Sequence, residues 1–322
     1  MNPSREEMFR PGVTSPISSM SIVVGDGVKA RCQGHCPFCV SKMTNVLGVH
    51  DCIFDQHLID WDKIMPQFKA ACRYAKTVGV TNILLTGRGE PTLYKDEITK
   101  YLQELKPYEF PFVEVQTNGI SIFNGWNSSP EDCQGTGHVS EAEMAMWMEL
   151  GLTHIAVSIA HWDPKRNNEI YGAKRPVDLE DLFGNLCRDG FSVRACCLLM
   201  KDYVDSIDDF ENVVSLCNSW GASQLRISSL GKPEKSESKA VEAWIDAHRP
   251  ENADKIVDRV LEQGHYLRTL PHGAPVFDYN GLSVCVADCL PRSNSVGNGM
   301  QPIFWPSGRL TYSWEWKGAV LM

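Results

Sequence analysis

Residues 81–119 read TNILLTGRGEPTLYKDEITKYLQELKPYEFPFVEVQTNG, and the order of patterns in this stretch decides the fold. Thr81–Thr86 (TNILLT) has the composition of a buried strand, and Gly87-Arg88-Gly89 stops it. Lys95–Leu105 reads as a helix. Phe112–Gln116 (FVEVQ) reads as a second strand, ended by the turn-forming Thr117-Asn118-Gly119.

The same alternation extends in both directions. Upstream, Met20–Val24 (MSIVV) is a first strand, and His57–Val78 carries Leu58, Trp61, Ile64, Phe68, Ala71, Tyr74 and Ala75 at helical spacing. Downstream, Ser140–Leu150 opens with Ser140 and Glu143, the spacing of a capping box. His154–Ala160, Val193–Met200 and Gln224–Ser228 read as strands, with helices over Asp178–Arg188 and Ser206–Trp220 between them. Strictly alternating strands and helices predict right-handed crossovers and a parallel sheet, open or closed into a barrel. In such sheets the working residues sit at the C-terminal ends of the strands. Cys32–Cys39, Gly87–Pro91, Gln116–Asn118, and Ser158 with His161 all fall there.

After residue 230 the alternation stops. Gly231–Lys239 reads as a linker, and Ala240–Gln263 as helical with a break at Pro250. Ile303–Trp305 and Leu310–Trp316 flank Pro306-Ser307-Gly308 as a hairpin would. The expected organisation is an N-terminal arm over 1–19, a core over 20–230 and an extension over 231–322 that covers the opening of the core.

Composition narrows the function classes. The 322 residues hold 31 basic and 40 acidic side chains, a formal charge of −9. That balance argues against tight, nonspecific binding of nucleic-acid phosphates. With 43% apolar and 22% charged residues, the chain has globular composition, and disorder or a fibrous repeat is excluded. No run approaches the ~18 apolar residues of a membrane span. The opening MNPSREEMFRPGV has no hydrophobic signal core, so a cytoplasmic location is expected. There, twelve cysteines are thiols, metal ligands or catalytic groups rather than disulfides. Most are scattered singly and read as buried structural thiols. The exceptions are Cys32/Cys36/Cys39 and Cys285/Cys289.

Three readings of Cys32-x3-Cys36-x2-Cys39 stand side by side. Cys36-Pro37-Phe38-Cys39 is the CxxC of a thiol–disulfide site, which leaves Cys32 without a role. Structural zinc wants four ligands, and Cys285 or Cys289 could supply the fourth. An iron–sulfur cluster takes thiolates from a short loop, and three of them leave one iron open, as catalytic metals require.

Cys-x3-Cys-x-aromatic-Cys, with Phe38 as the aromatic residue, follows the first strand of the series and resembles the signature of the radical S-adenosylmethionine (SAM) superfamily. The resemblance implies an α/β fold, a partial (β/α)6 TIM-like barrel with a C-terminal extension. It implies that Cys32, Cys36 and Cys39 hold a [4Fe–4S] cluster, whose fourth iron is chelated by the amino and carboxylate groups of SAM. Thr86-Gly87-Arg88-Gly89-Glu90-Pro91 resembles the family's Gly-Gly-Glu-Pro segment, which contacts the SAM amino group, with Arg88 where the strict pattern has glycine. A tight turn before a helix explains the same residues. Gln116-Thr117-Asn118-Gly119 and Val157-Ser158-Ile159 are similar to segments of the subgroup containing the GTP cyclase of molybdopterin synthesis. Phe38, Gly89, Glu90, Asn118 and Ser158 are thereby candidate contacts to SAM. Lys174 or Arg175 could pair with its carboxylate, since a guanidinium fork matches that group. Arg194 and Arg226 lie inside apolar strand patterns and need an anionic partner.

The implied activity is one-electron cleavage of SAM to a 5′-deoxyadenosyl radical that takes hydrogen from a small polar substrate such as a nucleotide or sugar. The electron would come from a reductant such as flavodoxin or ferredoxin. The chain lacks the three-cysteine C-terminal set of the cyclases, which argues against GTP. Two other classes stay open. One is a peptide-modifying enzyme with an auxiliary cluster drawn from Cys285, Cys289 and Cys133. The other is a non-catalytic zinc or thiol-redox module. Cys196 and Cys197, adjacent on one strand, put one thiol on each face. No nucleophile or general acid or base is singled out.

Overall fold

The structure, a computed structural model, describes residues 17–25, 31–44, 59–128, 137–233, 236–287, 301–314, 316 and 318–322. Most of the expected arm, together with Cys52, Cys133 and Cys289, lies outside the described residues. The elements follow in chain order. They are β1 (Ser19–Val23), α1 (Trp61–Thr77), β2 (Asn82–Thr86), α2 (Lys95–Leu105), β3 (Phe112–Thr117), α3 (Ile120–Trp126), α4 (Glu141–Glu149) and β4 (His154–Ile159). Then come α5 (Pro164–Tyr171), α6 (Leu179–Arg188), β5 (Ser192–Leu199), α7 (Ile207–Ser219) and β6 (Gln224–Ser229). The last are α8 (Lys239–Ala247), α9 (Ala253–Gln263), β7 (His265–Thr269), β8 (Pro275–Tyr279), β9 (Leu282–Val286), β10 (Ile303–Phe304) and β11 (Leu310–Thr311). Among the described residues, no helix is long and apolar enough to cross a membrane.

The alternation of strand and helix holds from β1 to β6, and the fold is mixed α/β with parallel strands. Local chemistry sets the boundaries. Asp60 accepts a hydrogen bond from Lys63 N, so α1 starts at Trp61; His57 and Leu58 of the expected helix lie outside the described residues. At α4 the Ser140 side chain accepts from Glu143 N, and the Glu143 carboxylate accepts from Ser140 N, so the expected capping box is formed. The break expected at Pro250 separates α8 from α9. Two helices, α3 and α5, were not expected from the pattern, and neither were strands β7 to β9.

The described residues fall into two compact units. The first draws on Pro16–Gln33, Thr44–Ile155 and Gly299–Met322. Its strands run β11-β10-β1-β2-β3, parallel except for the antiparallel β10–β11 hairpin. Phe68 packs edgewise on Phe304 and against Tyr101, each with ring centroids 5.0 Å apart, which joins α1, α2 and β10 in one apolar layer. The second unit draws on Gly34–Met43 and Ala156–Asn298. Its strands β5, β6 and β9 are parallel, and β8 and β7 continue antiparallel beyond β9. Along β5, Val193, Ala195, Cys197 and Leu199 are buried, while Arg194, Cys196 and Leu198 are half-buried on the other face. The described strands of 231–322 therefore add to the strands of each unit, β9 beside β6 and β10 beside β1.

Helix α3 is pinned by a backbone contact. A Cβ on Gly125 would meet the Val139 carbonyl oxygen at 1.9 Å, where no side chain can move aside. We expect Gly125→Ala to cost about 1–3 kcal/mol through overpacking and Ser140→Ala about 1 kcal/mol through the lost cap. Urea unfolding of the two variants checks the order; a Gly125→Ala variant as stable as the parent would refute the close approach.

Candidate functional site

The loop carrying the cysteine triplet divides between the two units: Cys32 belongs to the first, Cys36 and Cys39 to the second. In the first unit, Cys32 is held from two sides. Gly89 lies so close to the preceding residue that an added Cβ would meet the Arg31 carbonyl oxygen at 2.0 Å. Glu90 N donates to that same oxygen at 2.8 Å. Only a glycine leaves room for this approach. Arg88, which departs from the family pattern, reaches away and donates to the Thr44 carbonyl at 2.8 Å.

Glu90 is 3% exposed. Its Oε1 accepts from Thr92 N at 3.1 Å, Thr92 Oγ1 at 2.6 Å and Thr117 Oγ1 at 2.6 Å. Its Oε2 accepts from Asn118 N at 2.8 Å. One carboxylate thus caps the turn Pro91–Tyr94 after β2 and fastens the turn after β3. Burial pushes the carboxyl above the usual carboxylate range, and the hydrogen bonds from Thr117, Thr92 and Asn118 pull against it. The motif predicts an acceptor for the SAM ammonium here; the structure gives Glu90 four donors from the protein itself.

Asn118 stands on this bracket. Its Oδ1 accepts from Ile120 N at 2.9 Å, and its Nδ2 donates to Cys32 Sγ at 3.4 Å. Gly119 takes the left-handed φ of 77° that lets the chain turn into α3.

In the second unit the other two cysteines sit on an apolar footing. Phe38 packs on Trp244 with centroids 5.8 Å apart and edgewise on Tyr171 at 6.4 Å. Around them lie Met43, Ile170, Met200, Leu230 and Ile245. His35 N donates to the Tyr171 carbonyl at 2.7 Å, and Lys42 Nζ to the Cys36 carbonyl at 2.9 Å. Phe38 is therefore the hydrophobic anchor of its loop. Ser158 is half-buried on β4 and Arg175 is exposed between α5 and α6. Among the described residues, neither is hydrogen-bonded to another of the candidate residues.

The second unit also holds a cavity of about 480 Å³ past the C-terminal ends of β4 and β5. His161, Trp162, Asp163, Arg166, Tyr203 and Asp209 are among its lining. His161 is 4% exposed, and its Nδ1 accepts from Asp163 N at 2.8 Å, which places the ring proton on Nε2. Burial, then the charge of Arg166, hold its pKa below the ordinary 6.5. The aspartates around it cap helices: Asp163 accepts from Lys165 N and Arg166 N at the start of α5, and Asp209 completes a capping box with Ser206 at α7. Reading His161 as part of a strand-end motif did not reveal this cavity.

Burial pushes the thiols of Cys72 and Cys217 up to about 12, and it raises Cys187 and Cys197 as well. These behave as structural cysteines. Cys285 pairs in register with Arg226, and Arg226 with Cys196, on the half-buried face of β9, β6 and β5. Its expected companion Cys289 lies outside the described residues.

The donor set fits a thiolate-ligated cluster in kind. Cys32 is exposed, and Cys36 and Cys39 are half-buried. Asn118 adds an N–H donor to one of the sulfurs, a type of contact that tunes iron–sulfur sites. Among the described residues, no three His, Cys, Asp or Glu side chains form a group that could hold a metal ion.

No protein-family model matches the chain, and no curated protein does. Solved structures do. SuiB of Streptococcus suis, bound to S-adenosylmethionine, is similar over 77% of this chain and 45% of its own, at 17% identity and a TM-score of 0.45. SuiB in a further structure covers 84% of this chain and 50% of its own, at 16% identity and a TM-score of 0.48. Coproporphyrinogen III oxidase (HemN) from Escherichia coli, described as a radical SAM enzyme, covers 84% and 68%, at 9% identity and a TM-score of 0.39. The chain spans about half the length of the SuiB structures.

Glu90→Gln keeps the size of the side chain but replaces one acceptor by a donor that faces a donor. We expect a loss of about 1–3 kcal/mol, read by urea unfolding; an unchanged midpoint would show that the bracket carries no weight. His161 gives a pH signature. A depressed folded pKa means that the unfolded chain binds more protons than the folded one below 6.5. The stability is therefore present above the unfolded pKa and lost as pH falls through the folded one. Unfolding midpoints measured from about pH 7.5 down to about 5 should fall less steeply for His161→Gln than for the parent. Equal slopes would remove His161 as the cause.

Proposed function

We propose that the protein is a radical SAM enzyme, with Cys32, Cys36 and Cys39 as ligands of a [4Fe–4S] cluster. The observation that carries this reading is the spacing Cys-x3-Cys-x-Phe-Cys on the loop after β1, with the Gly89-Glu90 turn fastened to the neighbouring Arg31 and Asn118 to Cys32 itself. When bound, the cluster supplies the electron that splits SAM into methionine and a 5′-deoxyadenosyl radical.

The chain's own residues bind and orient. Phe38 anchors the Cys36–Cys39 segment in apolar contacts, so its thiols point from a fixed backbone. Gly89 keeps the backbone of β2's exit close to Arg31, as a cofactor-binding turn requires. Ser158 and Arg175 would complete the SAM shell in this reading, Arg175 pairing with the carboxylate. The substrate is a small polar molecule such as a nucleotide or sugar. The half-buried face of β5, β6 and β9, with Arg194, Gln224, Arg226 and Ser283, supports a polar rather than an apolar ligand. The core is assigned to the subgroup that contains the GTP cyclase of molybdopterin synthesis, on its Thr-Asn-Gly and Val-Ser segments. A flavodoxin or ferredoxin supplies the electron, in the cytoplasm.

Anaerobic reconstitution with iron and sulfide tests the reading. We expect about four irons per chain, and 5′-deoxyadenosine from SAM in the presence of dithionite. Replacing Cys32, Cys36 and Cys39 together by alanine should abolish both. Zinc without iron would favour a structural site, and a Cys36–Cys39 disulfide with exchange activity a redox one. Iron uptake and SAM cleavage that survive the triple substitution would overturn the ligand assignment.

A further inference from the structure

We propose that Asn118 is a positioning residue that donates an N–H···S hydrogen bond to the Cys32 sulfur, with Glu90 holding it in place, and that this bond raises the reduction potential of the cluster bound there. The inference rests on the cluster reading above and adds a role that the motif does not assign.

The orientation of the amide follows from the bonds around it. An asparagine amide has one acceptor and two donors. Ile120 N, a donor, stands 2.9 Å from one terminal atom of Asn118, so that atom is Oδ1. The other terminal atom is then Nδ2, and it faces Cys32 Sγ at 3.4 Å. The sulfur is therefore the acceptor, and the bond favours electron density on it. The backbone of Asn118 is fixed independently by its N–H to Glu90 Oε2 at 2.8 Å. The backbone before Cys32 is fixed by Glu90 N to the Arg31 carbonyl at 2.8 Å. One buried residue thus sets both ends of the N–H···S contact, donor through its side chain and acceptor through its backbone.

Hydrogen bonds to cluster sulfurs are among the terms that set iron–sulfur potentials. A donor stabilises the reduced, more negative state, so its removal makes reduction harder. Asn118→Asp separates this effect from folding. It keeps the oxygen that accepts from Ile120 N, and so the turn, while replacing the donor by a charge. Asn118→Ala removes donor and acceptor together.

The experiment is a redox titration of the reconstituted protein without SAM, followed by electron paramagnetic resonance. At a fixed potential near the midpoint, we expect the reduced fraction relative to oxidised to fall about three- to tenfold for Asn118→Ala. Tenfold corresponds to 59 mV for a one-electron couple. Asn118→Asp should shift it at least as far, and Glu90→Gln in the same direction. In the metal-free protein, Cys32→Ala should move the Asn118 side-chain amide resonance, which reports the contact without any cluster. Iron loading with unchanged midpoints in both Asn118 variants would overturn the inference and leave the proposed function standing. Weaker SAM binding by those variants without a shift in potential would make Asn118 a SAM contact instead. A parent protein that takes up no iron would remove the proposed function itself, and the potential-tuning role with it.

Discussion

A carboxylate whose hydrogen bonds come from neutral amides and hydroxyls is costly to bury, and Glu90 is buried at the meeting of two strand ends. Removing an ion from water costs several kcal/mol in a real protein. Four donated hydrogen bonds offset part of that cost, and burial still raises the carboxyl above its ordinary range. Such a residue persists only where its donors are over-determined by the fold. Thr92 and Asn118 offer backbone N–H groups, and Thr92 and Thr117 hydroxyls, that all point at one place because β2 and β3 are parallel neighbours ending at the same rim. The strand register comes first, and the bracket follows from it.

The two halves of the triplet loop are held by different physics. Around Cys32 the restraints are directional: a backbone bond, an amide on the sulfur, and a glycine contact with no tolerance for a methyl group. Around Cys36 and Cys39 they are aromatic and apolar, with Phe38 between Tyr171 and Trp244. Apolar packing fixes where a segment lies, and directional bonds fix how a given atom is aimed.

Much of the core was legible because its signals are local. Ser140 and Glu143 announced α4, and the short apolar runs announced β1 to β6. Helix α3 was not legible: Ile120 to Gly125 are all buried, so no polar face alternates with an apolar one to show a helical period. Helix α5 has only eight residues in which to show a period, but it has a start signal in the sequence, Asp163 as cap and Pro164 at the first position. The hairpin of β8 and β9 carried a stronger one, Asn280-Gly281, whose φ values of 53° and 82° suit a two-residue turn. In the site, the residue types were readable and the bonding was not. Nothing in Gly-Glu-Pro says that the carboxylate turns inward to Thr117, which lies 27 positions away. A motif records which residues recur; the structure says which of their atoms are already spoken for.

Arg88 makes the same point from the other side. The family pattern has glycine there, and the sequence alone makes the substitution look like a defect in the motif. The geometry separates the three positions. Gly87 faces the Val24 carbonyl, which an added Cβ would meet at 2.7 Å, and Gly89 faces Arg31 at 2.0 Å. Both therefore need the absence of a side chain for space, since neither has a positive φ. The side chain between them reaches the Thr44 carbonyl instead. An arginine at 88 is then compatible with the close backbone approach on which the turn depends, and it ties the triplet loop's far end, at Thr44, to the same strand exit that clasps its near end at Arg31.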